Sequence, residues 1–66
     1  DIRLEVRMQA ATRYLKHSKL SIERIANIVG YSDQASFTRA FQKWANETPD
    51  AIRRKHRLQQ NIMAPN

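Results

Sequence analysis

Sixty-six residues allow one domain at most, and a chain this short buries only roughly 60% of its unfolded surface. The absence of cysteine excludes disulfide staples and thiolate metal sites and suits a reducing, cytoplasmic setting; no run approaches the ~18 apolar residues of a membrane span, and no signal-peptide pattern appears. Twelve Lys and Arg against six Asp and Glu leave a formal charge of +6, which attracts polyanions at long range, nucleic acid first among them, with an acidic membrane or plain solubility as blander readings. The chain opens on Asp1 rather than Met, which reads as a segment of something longer.

One glycine and two prolines give little punctuation, so helices dominate. The first is expected over about residues 2–17. Leu4, Met8, Ala11 and Leu15 recur at helical spacing on one face, with Arg3, Arg7, Arg13 and Lys16 off it. Ile2 and Val6 lie nearly opposite that face, either as scattered surface apolars or as a stripe meant for a second body.

The second helix is expected over 22–29. Ser21 can cap its first turn, Leu20 and Ile25 have the spacing of a hydrophobic staple, and Glu23 meets the positive end of the helix dipole. Ile22, Ile25, Ala26 and Val29 form its inward face, and Gly30 ends it in a left-handed turn.

Ser32 or Asp33 opens a third helix over 34–45, whose apolar face is Phe37, Ala40, Phe41 and Trp44. Asn46 takes the left-handed stop. Thr48 caps a fourth helix over 49–58, with Pro49 at its first position and Ile52 and Leu58 as anchors. From 59 to 66 the pattern dissolves and a disordered tail is expected. All five aromatics can be placed near the core.

These elements make an all-α, homeodomain-like helix-turn-helix subdomain over residues 1–58, with a long N-terminal linker helix. Ala26 is small enough for two helices to cross closely, Gly30 allows the abrupt turn, and Tyr31 can drop its ring into the gap beside it. With one side of the third helix buried, the opposite side carries Ala35, Thr38, Arg39 and Gln42, with Gln34 at its shoulder. None is acidic, and these residue types read base edges: Gln toward adenine, Arg toward guanine, Thr and Ala against a thymine methyl. The N-terminal half of such a helix enters the major groove, which favours Gln34, Ala35, Thr38 and Arg39. Phosphate contacts are expected from Arg13, Lys16, Lys43 and the cluster Arg53, Arg54, Lys55 and Arg57, and from the capped helix starts at Ser21 and Thr48. The bland alternative is the solvated side of an amphipathic helix.

The pattern Ser21-Ile22, Ile25-Ala26, Gly30-Tyr31, Ser36-Phe37, Arg39, Phe41, Thr48-Pro49 and Arg53 resembles the second half of the AraC/XylS family's DNA-binding domain, over roughly residues 7–57. The resemblance implies two helix-turn-helix units joined by a long helix, here the first helix, whose Ile2/Val6 stripe would face an absent first unit. It implies that the helix opened near Asp33 is the recognition helix, and that the protein regulates bacterial promoters, often as an activator, with an effector domain and RNA polymerase as further partners. Asn46 stands where the family usually has glycine, and Ile52 where an aromatic is usual.

An enzyme is not expected. His17 and His56 lie 39 positions apart, Glu5, Glu23 and Glu47 sit singly, and no glycine-rich phosphate loop occurs. No cofactor or metal is called for. The partner expected is double-stranded DNA. The rival is a helical interaction module that meets RNA polymerase or another acidic protein through the face around Arg39 and Gln42, or associates through Ile2 and Val6.

Overall fold

The structure, a computed structural model, describes residues 3–63, with side-chain surroundings given for residues 3–59. Among them are four helices and no strand: α1 (Leu4–His17), α2 (Ile22–Ile28), α3 (Gln34–Ala45) and α4 (Pro49–Met63). The all-α helix-turn-helix architecture expected from the sequence is present. No helix among the described residues is long and apolar enough to cross a membrane.

Local chemistry fixes where three of the helices begin. Ser21 Oγ accepts from the Arg24 N–H at 3.1 Å, Asp33 Oδ1 from the Ser36 N–H at 2.7 Å, and Thr48 Oγ1 from the Ala51 N–H at 3.1 Å. Each cap satisfies a first-turn amide that has no partner within its helix. Asp33, rather than Ser32, is thus the cap of α3. The end of α2 is equally defined: Tyr31 N–H reaches the Ala26 carbonyl at 2.9 Å and Gly30 N–H the Asn27 carbonyl at 3.1 Å, the paired bonds of a Schellman turn. Gly30 supplies the positive φ of 100° that this turn requires. A Cβ there would meet nothing closer than the Arg7 guanidinium at 3.7 Å, so backbone conformation, not space, demands the glycine. Asn46 closes α3 in the left-handed region at φ 63°.

The core forms where three helices meet. Met8, Ala11 and Leu15 come from α1, Ile25 and Ala26 from α2, Val29 from the turn, and Phe37 and Phe41 from α3. Leu20, Ile22, Tyr31, Ala40, Ala45 and Ile52 pack partly buried around it, so both members of the Leu20/Ile25 staple join the core. Tyr31, Phe37, Phe41 and Trp44 form a continuous row of rings with centroid spacings of 5.7, 5.7 and 5.8 Å, each tilted on the next. α4 lies against both α1 and α3.

Several sequence expectations are corrected. Leu4 is exposed, so the α1 stripe is used from Met8 onward. Val6 is exposed, in keeping with its place opposite the buried stripe, and Ile2 lies outside the described residues. Trp44 keeps 38% of its surface in solvent and Tyr14 36%, so two of the five aromatics stand at the rim rather than in the core. Leu58, 53% exposed, anchors nothing. The fourth helix nevertheless continues to Met63, through the first five residues of the expected tail; residues 64–66 lie outside the described residues. No Gly or Pro interrupts residues 50–63, and Arg, Lys, Leu and Gln are good helix formers.

Burial separates the two ring residues of α3. Phe41→Ala is expected to cost ~3–5 kcal/mol, whereas Trp44→Ala, at the rim, costs about 1–2 kcal/mol. Urea unfolding followed by far-ultraviolet circular dichroism measures both, and equal costs would contradict this packing.

Candidate nucleic-acid interface

The rotation of α3 is set by Phe37 and Phe41, which have no exposed surface. At about 100° per residue, Ala35, Arg39 and Gln42 then point away from the core, and Thr38 falls at its border. The structure agrees: Ala35, Arg39 and Gln42 are exposed, Thr38 is half-buried, and Gln34 is exposed at the first position of the helix. The five residues therefore form one outward row along α3. None is walled off by a neighbouring helix.

The one acid beside this row is already engaged. Asp33 caps α3, and the Ser36 backbone N–H, joined by the Ser36 hydroxyl and the positive charge of Arg39, holds its carboxyl below the ordinary carboxylate range. As a carboxylate it accepts from the helix amide and occupies the positive end of the α3 dipole. Arg39 makes no ion pair among the described residues.

The cations expected on phosphate divide into three groups. Arg13, Lys16 and Lys43 are exposed and unpaired among the described residues. Arg54 pairs with Asp50 at 2.6 Å and Lys55 with Glu47 at 2.7 Å. The Arg54 pair is exposed on both sides, which makes it weak and exchangeable for phosphate. Arg53 has a different task. Its Nε donates to the Leu15 carbonyl and its Nη2 to the Ser18 carbonyl, both at 3.1 Å, so it ties α4 to the C-terminal end of α1. The Ser21 and Thr48 oxygens are taken as cap acceptors, which leaves each hydroxyl proton free to donate.

Two contacts had no signal in the sequence. Arg7 of α1 lies over the Tyr31 ring, 5.8 Å from its centroid, and steadies the turn between α2 and α3. The rings of His17 and His56 meet edge to face at 5.5 Å. The packing of α1 against α4 brings this pair together across the 39 positions that separate them in the chain.

Two short helices joined through a left-handed glycine turn, the second presenting an exposed row of polar and cationic side chains, are the parts of a helix-turn-helix DNA-binding domain. A family model described as a helix-turn-helix domain matches residues 1–55. Relatives include the transcriptional regulator GlxA of Rhizobium meliloti, 40% identical over 55 residues (83% of this chain, 17% of the relative). The Msm operon regulatory protein of Streptococcus mutans is 38% identical over 52 residues, or 79% of this chain and 19% of the relative. The ornithine utilization regulator of Pseudomonas aeruginosa is 37% identical over 49 residues, or 74% and 14%. No solved structure matches the chain. The chain belongs to the AraC-type helix-turn-helix family of DNA-binding transcription regulators, and it spans less than a fifth of the length of these three relatives.

The Asp33 cap has a pH signature. Its pKa is depressed on folding, so its contribution is present above the unfolded-state pKa and is lost as pH falls through the lower folded-state value. Asp33→Ser keeps a cap oxygen and removes the titrating group. The variant is expected to lose this part of the acid sensitivity below the ordinary carboxylate range while retaining helix content at neutral pH; stability measured against pH for both chains checks this.

Proposed function

We propose that this chain is the sequence-reading part of a bacterial transcription regulator and that α3 enters the major groove. The observation that carries the reading is the outward row Gln34, Ala35, Thr38, Arg39 and Gln42, held in place by the burial of Phe37 and Phe41 on the opposite side. Arg39 is suited to the O6/N7 edge of guanine, Gln34 and Gln42 to the N6/N7 edge of adenine, and Ala35 and the Thr38 methyl to a thymine methyl. Arg13, Lys16 and Lys43, the exchangeable Arg54, Lys55, and the hydroxyls of Ser21 and Thr48 would hold the backbone on either side. In this reading Arg53 acts by fixing α4 against α1, which keeps the neighbouring cations in position.

A single reading helix covers few base pairs, so the whole protein would supply further contacts through segments outside this chain. By family resemblance these are a preceding helix-turn-helix unit and an effector domain, with RNA polymerase as a partner and the cytoplasm as the setting. The length of the relatives supports that reading.

Base and phosphate contacts predict different outcomes. Arg39→Ala or Thr38→Ala should change sequence preference at one or two base pairs, at ~1–3 kcal/mol each. Lys43→Ala should weaken all duplexes alike and flatten the dependence of log K on log salt by about one unit. Selection from a randomised duplex pool, followed by binding at several salt concentrations, distinguishes the two. An unaltered preference in the Arg39 variant would remove α3 from the groove.

A further inference from the structure

The C-terminal end of α1 and the middle of α4 line an open cleft of about 390 Å³, in which Lys16 alone belongs to the contacts proposed above. Lys16, His17 and Lys19 line it from one side and Arg53, His56 and Arg57 from the other, and no carboxylate is among its lining residues. Neither of the ion pairs found among the described residues reaches it, since they engage Arg54 and Lys55. Four formal positive charges thus converge without a counter-charge, an arrangement that repels itself until an anion enters.

Two details make this a built site rather than a patch of surface charge. Arg53 is half-buried and held by its bonds to the Leu15 and Ser18 carbonyls, so the N–H groups those bonds leave over are fixed in direction. His56 Nε2 is shut away from solvent and has no hydrogen-bond partner. His17 packs its ring edge to face against that of His56, and both line the cleft.

We propose that this cleft binds a phosphate group, with Arg53 as a fixed fork and Lys16, Lys19 and Arg57 as mobile cations. A tetrahedral oxyanion offers acceptors in several directions at once, which suits a guanidinium and ammonium groups arriving from different helices. A carboxylate presents only two oxygens in one plane. The group is supplied either by a DNA backbone phosphate or by a free phosphate or phosphomonoester. The site stands independently of the reading assigned to α3.

The test is a nuclear magnetic resonance titration of the chain with inorganic phosphate, set against chloride and acetate at matched ionic strength. Saturable shifts are expected at residues 15–19 and 53–57 and in the His56 ring. Lys19→Ala combined with Arg57→Ala, two exposed positions outside the core, should weaken phosphate by roughly tenfold. Lys19→Ala alone, with a smaller loss, serves if the double variant unfolds. Shifts that match chloride or acetate, or that spread equally over Arg13, Arg24 and Lys43, would overturn the site.

Adding a short duplex then identifies the source. Displacement of phosphate, with a salt slope lowered by about one in the double variant, assigns the cleft to the DNA backbone. Phosphate that stays bound beside the duplex assigns it to a free ligand. A chain that binds phosphate here but no duplex would retain this site and lose the α3 reading alone.

Discussion

The burial of Phe37 and Phe41 is the constraint on which the rest depends. Both rings lie wholly inside, flanked by Tyr31 and Trp44 in one row. A helix with two adjacent turns pinned in this way cannot rotate without exposing an aromatic ring, which costs more than any contact on its outer face returns. The outward direction of Arg39 and Gln42 is therefore a consequence of the core, and the polar row needs no restraint of its own.

A rigid helix is useful only if the next helix holds it at a defined angle. The turn from α2 to α3 does this with little material. Two backbone hydrogen bonds close the end of α2, Gly30 takes the left-handed conformation, Tyr31 carries the chain into the aromatic row, and Arg7 rests on its ring. Ala26, fully buried, lets the backbones approach. At the other side of the domain Arg53 ties α4 to the last carbonyls of α1, an arginine spent on the fold in a protein whose other cations largely face solvent. The outward row on α3 follows from these few buried residues.

Much of this was legible in the chain. Ser21, Asp33, Thr48 and Asn46 act locally, within one turn of themselves, so their roles as caps and stops can be read from order alone. The apolar spacing of α3 points to the row opposite it for the same reason, and the motif around Gly30-Tyr31 is specific enough to indicate the family that the comparisons show. Trp44 and Leu58 were harder, because periodicity identifies a face but not how far the partner helix extends over it. The end of α4 was not legible in the chain, because no Gly or Pro marks a stop between Asp50 and Met63.

What the sequence determined by itself, then, was everything that rests on neighbours three or four residues apart: the helix starts, the glycine turn, and the side of α3 that faces out. Only the tertiary structure decided which cations are free and which are engaged. It drew Arg53 inward, put Lys55 on Glu47, set Arg7 over Tyr31 and joined His17 to His56 within a basic cleft. These are contacts between distant parts of the chain, made by long side chains whose direction is fixed by the helix packed against them, and no local pattern encodes where that helix will lie.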